Sequence, residues 1–328
     1  MTYCLFKLKF TSPVHFGDSE TAHSLDSGLI TCHADTLFSA LCHAAYAMGG
    51  TEQVEWLIQA AKTEQIKLSD CMPWDAQHFY LPRPFHLPKK KPDVQNKDRK
   101  ALKKAEWIPA SEMEACLSAL RGENVYDWSN AKNRNSFGKE YTIERAAVPS
   151  ESDAQPYSVG AFCFERDKGL YFILQYQSEN DSKRVQTLVQ ALGLSGIGGK
   201  ISVGYGKFDL QDTIYLHQAA ECRDTDIDWL TQALYHKGTK KMLIGAALPN
   251  DSELEDAVQG ASFQLIRRSG FIHPIASKKS LQKKKTQYFF APGSMFAHAF
   301  KGEIFVVGET ESHDIYRYGK SLFLGVEL

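Results

Sequence analysis

Residues 195–206 read SGIGGKISVGYG, so five of the chain's 23 glycines fall within twelve residues. Glycine gives up more conformational freedom on folding than any other residue, so such a cluster marks a place where something approaches the backbone closely. The flanks narrow the choice. SKRVQTLVQALG (182–193) carries Val185, Leu188, Val189 and Leu192 at i, i+3, i+4 and i+7 and stops at Gly193, which predicts an amphipathic helix. KFDLQDTIYL (207–216) reads as a strand. The loop therefore leaves a helix C-terminus and enters a strand.

That order excludes two phosphate loops. The G-x-x-x-x-G-K-[ST] loop fails because Ile201 follows Gly199-Lys200 and position 194 is leucine. Gly196 and Gly198 fit the start of G-x-G-x-x-G, but position 201 is isoleucine. That fingerprint also runs strand, loop, helix, so that a helix N-terminus meets the pyrophosphate. Here the helix offers its negative end. The remaining route to a polyanion is a concavity of successive backbone N–H groups, to which Lys200 and Lys207 add charge and Tyr205 a stacking face, with Ser202 between them. An irregular nucleic-acid backbone suits this set better than a mononucleotide. The bland alternative is a turn that only reverses the chain.

The first strand, YCLFKLKF (3–10), alternates Cys4, Phe6, Leu8 and Phe10 against Tyr3, Leu5, Lys7 and Lys9. ADTLFSALCHAAYAMGG (34–50) predicts a helix stopped by Gly49-Gly50, with a second starting near Thr51. HLPKKKPDVQNKDRKALKK (86–104) is basic and proline-broken, an insertion outside the sheet. Ser111 and Glu114 have the spacing of a capping box before a helix that Gly122 ends. YTIERAAV (141–148) reads as a strand, and YSVGAFCFE (157–165) with LYFILQYQ (170–177) as a hairpin. With the insertion (86–135) set aside, residues 1–211 follow the ferredoxin-like order β-α-β-β-α-β. Residues 212–328, with a helix at DIDWLTQALYH (226–236), are expected to form a second, smaller α+β domain.

Composition sets the outer limits. With 328 residues, 43% hydrophobic and 23% charged, the chain can bury a real core. Its net charge of −1 means that a polyanion must be held by a local basic surface. No run of about 18 apolar residues suggests a membrane span, and no secretory signal opens the chain. The seven cysteines lack any C-x-x-C pair and read as reduced thiols in the cytoplasm. No metal-ligand spacing stands out, so neither metal nor cofactor is expected.

GIGGKISVGYGKF at the end of a ferredoxin-like domain resembles the RAMP superfamily of CRISPR proteins. FTSPVHFGDSE (10–20), LITCHADTLFSALCHA (29–44), APGSMF (291–296) and DIYRYGKSLFLGV (314–326) narrow the resemblance to the subunit of type III-A Csm effector complexes that caps the five-prime end of the guide. The resemblance implies an α+β chain of two ferredoxin-like domains, and a non-catalytic subunit of an antiviral ribonucleoprotein. It implies contact with the repeat-derived five-prime tag of the crRNA, the large polymerase-like subunit and the backbone RAMP subunits. It also implies a thumb hairpin that kinks the RNA, matched at 141–160, with Arg145 meeting a phosphate.

Single-stranded RNA is bound by basic grooves and aromatic faces, and the residues agree in kind. His15 follows the first strand, in a turn with Gly17, and neighbouring first and fourth strands would bring it to the glycine loop. His33 and Asp35 open a helix whose N-terminus favours phosphate, and Ser39 lies one turn on. The expected RNA-binding set is therefore His15, Gly17, His33, Ser39, Arg145, Gly196, Gly198, Gly199, Lys200, Ser202, Tyr205, Gly206 and Lys207. Two rivals remain. One is a metal-independent endoribonuclease recruiting His15, His33 and Tyr205 as acid and base. The cleaving RAMP relatives carry their glycine loop late in the second domain, whereas here about 120 residues follow it. The other rival is a protein-only scaffold.

Overall fold

The computed structural model describes residues 1–17, 25, 28–86, 101, 104–147, 155–217, 224–272, 282–310 and 313–328. Most of the basic stretch 86–104 and the hairpin tip 148–154 lie outside the described residues.

The strand Thr2–Phe10 pairs antiparallel with Gly169–Tyr176 on one side and Phe208–Tyr215 on the other. Ile66–Leu68 and Met72–Trp74 add to the far edge of Gly169–Tyr176. Helix Ala34–Lys62 follows the first strand and helix Glu179–Ser195 the third. The order is β-α-β-β-α-β, as expected, with Phe208–Tyr215 beside the first strand. The expected helix stop at Gly49-Gly50 is a kink within one element, with Gly50 at φ 62°.

One pairing differs from expectation. Residues 157–165 do not pair with 170–177; Gln155–Phe164 pairs along its whole length with Gly138–Ala147. The reason is burial. Every residue of Gly169–Tyr176 is buried, so that apolar run needs cover on both faces. Glu140, Thr142 and Glu144 alternate outward against Tyr141 and Ile143, which suits a two-stranded arm. The sheet's true second strand is two three-residue pieces, too short to register as a period. The expected capping box is also absent. Helix Met113–Arg121 has no side-chain cap, and the Ser111 N–H donates to Asp226 at 2.6 Å. Gly122, at φ 81°, does close that helix.

The second region opens with helix Thr225–Tyr235. Lys240–Leu243 lies between Met295–Phe296 and Phe323–Val326 in a three-stranded sheet. Helix Asp251–Val258 and two arms, Leu265–Arg268 with Gln287–Phe290 and Ile304–Glu309 with Asp314–Tyr318, complete it. Among the described residues this region does not repeat the four-stranded sheet that a second ferredoxin-like domain would have. The strand Phe208–Tyr215 also runs through the expected boundary at 211.

The two regions share a core that runs from Phe6 and Phe172 to Met242, Tyr318 and Leu324. The Leu68 N–H donates to the Tyr318 hydroxyl at 2.8 Å across this junction. Cys4, Cys32, Cys71 and Cys116 are buried free thiols, and burial pushes the Cys116 thiol up to about 12, so it stays protonated and inert.

Candidate nucleic-acid interface

The glycine loop leaves its helix at Gly196, whose N–H donates to Leu192 O at 2.7 Å. It then folds back on itself and onto residues 13–16. Ile197 N–H donates to Gly206 O (3.0 Å), Gly206 N–H to Pro13 O (2.8 Å) and Gly199 N–H to His15 O (2.8 Å). The N–H groups of Val203, Gly204 and Tyr205 also donate within the loop. Most of the loop's N–H groups are therefore already used inside the fold. The glycines serve close packing instead. At Gly206 (φ 75°) a Cβ would sit 2.0 Å from Ile197 O, and at Gly198 (φ 96°) 2.7 Å from His15 O.

His15 meets the glycine loop as expected, but as a clamp. Its ring is 5% exposed and Nδ1–H donates to Gly160 O at 2.7 Å, tying the loop to the hairpin strand Gln155–Phe164. The turn does not expose it; of its described residues Phe16 is buried and Gly17, paired with Gly28, faces solvent. Tyr205 is corrected too. It is 6% exposed and packs on Val159 and Ala161, with Tyr141, Ile143 and Tyr157 around it, so it offers no free stacking face.

The aromatic ring within reach of a base is Tyr157, which the sequence reading passed over. It is half-buried, directly across the hairpin from Arg145, with Lys200 Nζ 4.8 Å from its ring centroid. Cross-strand partners stand about 5 Å apart at Cβ, so Arg145 and Lys200 flank one tyrosine. Arg145 Nε meets no acceptor at hydrogen-bond distance. Ser202 and Lys207 are exposed, as are Ile201 and Val203. The alternation of YSVGAFCF puts Tyr157 on the face of Val159 and Ala161, which by itself reads as core, so no local signal singled it out.

His33, Asp35 and Ser39 belong elsewhere. The first helical N–H, from Ala34, donates to Asp70 Oδ1 at 2.7 Å, and His33 Nδ1 lies 2.5 Å from Asp70 Oδ2. The same Oδ1 accepts from Ala246 N–H at 2.8 Å. A carboxylate thus already occupies the helix N-terminus where a phosphate was expected. Asp35 is held by Arg268, with Nη2–Oδ1 at 2.7 Å and Nε–Oδ2 at 3.0 Å, and Arg317 stands 3.8 Å away. Ser39, half-buried one turn on, rides on the same helix. This end of the helix fastens the first region to the second.

Burial alone raises the Asp35 carboxyl, but the Arg268 charge and hydrogen bonds, with His33 and Arg317 behind them, outweigh it and hold the carboxyl below its ordinary value. A carboxyl lowered on folding lends stability above the ordinary carboxylate pKa of about 4 and loses it as pH falls through the lowered value. Stability is therefore expected to fall on acidification below about pH 4. Asp35→Asn, weaker at neutral pH, is expected to lose less over that range. Denaturant midpoints across the acid range check this; parallel curves for both proteins would contradict it.

Among the described residues, no group of three or more His, Cys, Asp or Glu side chains could hold a metal ion. No described helix is long and apolar enough to cross a membrane.

The RAMP superfamily model matches residues 7–209, and that for the CRISPR Csm4 C-terminal domain matches residues 236–326. The CRISPR system Cms protein Csm4 of Mycobacterium tuberculosis is 31% identical over 323 residues, covering 98% of this chain and 97% of that protein. The chain belongs to the Csm4 family of the RAMP superfamily. A Csm4 from Streptococcus thermophilus is 29% identical over the full length of both chains. Among solved structures, a Csm1–Csm4 cassette in complex with cA4 shares the fold at TM-score 0.63 and 19% identity, covering 100% of this chain and 99% of that one. A Csm3–Csm4 subcomplex of the type III-A interference complex follows at TM-score 0.61 and 17% identity, covering 99% of each. The Csm4 family is thus a constituent of CRISPR Csm assemblies.

Proposed function

We propose that this chain holds the repeat-derived five-prime tag of the crRNA in a type III-A Csm complex, and bridges the large polymerase-like subunit to the backbone RAMP subunits without cleaving RNA itself. The observation that carries the reading is the Arg145–Tyr157–Lys200 group. Two cations flank one accessible ring where the hairpin lies against the glycine loop. This is the chemistry that binds a single strand: cations for successive phosphates and a π-face for a base. The hairpin Gly138–Ala147 and Gln155–Phe164 takes the part of the thumb. Its inner face is anchored through Tyr205 and His15, which holds the arm rigidly against the glycine loop. The bridging role draws on solved relatives in Csm1–Csm4 and Csm3–Csm4 assemblies.

The non-catalytic role is supported by how the candidate acid–base groups are held. His15 is clamped to Gly160, His33 to Asp70, and Tyr205 is buried in the hairpin face. A general base must reach the proton it takes. Incubation with repeat RNA in EDTA tests this; a specific cut abolished by His15→Ala would revive the nuclease.

Lys200→Ala is expected to weaken tag-RNA binding similarly for all sequences and to lower the slope of log affinity against log salt by about 1. Unchanged salt dependence would remove Lys200 from the interface. Affinity without salt dependence in the wild type would favour the protein-only scaffold.

A further inference from the structure

The second region carries a cationic and aromatic arm of its own. Leu265–Arg268 pairs antiparallel with Gln287–Phe290, which sets Arg268 across from Gln287 and Arg267 across from Tyr288. The two faces differ. Arg268 and Phe289 are buried, whereas Tyr288 leaves 58% of its surface open. The pairing continues past the strands. The Lys284 N–H donates to Gly270 O at 2.9 Å, Phe271 pairs with Lys283, and the Ile272 N–H donates to Gln282 O at 2.8 Å. Phe271 is 52% exposed, and Lys283 and Lys285 are exposed as well. The lysine run is pinned by its backbone: the Lys285 N–H donates to Val307 O at 2.7 Å, and Lys285 O accepts from Arg317 Nη1 at 2.9 Å.

Two open rings thus stand on one ladder, each with a cation as its cross-strand neighbour, at about 5 Å between Cβ atoms. Arg267 and Phe271 are four residues apart, which is about 13 Å of extended chain. Positive charge also gathers beneath them. Arg268 and Arg317 are both more than nine-tenths buried and both face the Asp35 carboxylate. Lys284 is half-buried near them. Burial and the Arg317 charge push its ammonium below the ordinary value; Asp35 opposes them and Arg268 adds to them. Asp70, the next acid, is already held by His33 and by the N–H groups of Ala34 and Ala246. Three cations therefore share one carboxylate, and a further anion at Lys284 meets a local surplus of positive charge in a chain whose net charge is −1. Ordinary solvation would account for Lys283 and Lys285, but not for two open rings or a half-buried lysine.

We propose that this arm is a separate binding surface for a single strand of nucleic acid, held through its phosphates by Lys283, Lys284 and Lys285 and through bases stacked on Phe271 and Tyr288. Such a surface binds without regard to sequence, because every base has a π-face. The open rings favour a nucleic acid over an acidic protein segment, for which the cations alone would suffice. The arm shares no residue with the Arg145–Tyr157–Lys200 group, and the proposal does not rest on the tag reading.

The test titrates the purified full-length chain with tag-free oligouridylate and oligothymidylate of about 10 nucleotides, within the site sizes of single-strand grooves. The wild type is expected to bind at least one of them, and the tighter of the two tells whether the strand is RNA or DNA. Tyr288→Ala and Phe271→Ala should each weaken binding about tenfold, and Tyr288→Phe, which keeps the ring, should not. Replacing both Lys283 and Lys285 by alanine should lower the slope of log affinity against log salt by about 1.4. These side chains are exposed, so an unchanged melting midpoint is expected for each variant. Failure of the wild type to bind either oligomer would overturn the proposal, as would alanine variants that bind like the wild type. Loss of association with another subunit of a Csm complex, with oligomer binding unchanged, would overturn it in favour of a protein-docking face. The tag reading is tested separately, on tag RNA with Lys200→Ala, so either can fail alone.

Discussion

Asp226→Ala is expected to lower folding stability by about 3–5 kcal/mol. The Asp226 carboxylate is buried and accepts three hydrogen bonds from two separate segments. Oδ2 takes the Phe79 N–H at 2.8 Å and His78 Nδ1 at 3.1 Å, and Oδ1 takes the Ser111 N–H at 2.6 Å. Alanine leaves the buried Phe79 N–H and the half-buried Ser111 N–H without an acceptor, a loss of about 1–3 kcal/mol for a buried donor and less for a half-buried one. Asp226 also sits in the first turn of helix Thr225–Tyr235, where Asp224 caps its N–H and that of Ile227. Its loss therefore loosens the opening helix of the second region from the turn and strand of the first. Denaturant unfolding should show a lower midpoint and a broader transition as the two regions uncouple. A variant within about 1 kcal/mol of wild type would mean that this carboxylate is not the fastening.

The second large effect is expected at Gly206. A Cβ there would lie 2.0 Å from Ile197 O and 2.7 Å from Ile197 N, backbone atoms that cannot swing aside. Gly206→Ala must open the Ile197–Gly206 closure. That shifts Tyr205 off Val159 and Ala161, and Lys200 off Tyr157. Overpacking of this kind destabilises by about 1–3 kcal/mol, and tag-RNA affinity should fall further than with Lys200→Ala because the whole cationic–aromatic group moves. Gly204 provides the contrast. It has a similar positive φ of 90°, but nothing lies within 4 Å of the position its Cβ would take. Gly204→Ala is expected to carry only the backbone strain, about 1–2 kcal/mol, with the RNA site intact. Equal losses of RNA affinity in the two variants would show that the loop's φ angles, and not its close packing, set the interface.

Much of the architecture could be read along the chain. Val185, Leu188, Val189 and Leu192 announce their helix, Gly49-Gly50 marks the break that proves to be a kink and not a stop, and the first strand alternates as it should. The meeting of His15 with the glycine loop followed from the order of elements, since first and fourth strands are neighbours in the sheet. What failed were assignments that depend on distant partners. Asp35 is 233 positions from Arg268, and the N-terminus of its helix is capped from Asp70, so neither pairing leaves a local spacing to read. Tyr205 looked like a stacking face because the Val159–Ala161 surface that covers it lies on another element. Tyr157 was missed for the complementary reason: in a strand of alternating apolar residues, only the arrival of Lys200 distinguishes it from core.

The most direct measurement is ultraviolet crosslinking of the chain purified from its native host, followed by sequencing of the attached RNA and mapping of the crosslinked peptides. RNA carrying a repeat-derived five-prime tag, joined to peptides spanning 155–164 and 195–207, is the result this account predicts. Absence of RNA, RNA without the tag, or crosslinks confined to other segments would contradict it, and would leave the glycines as close packing alone.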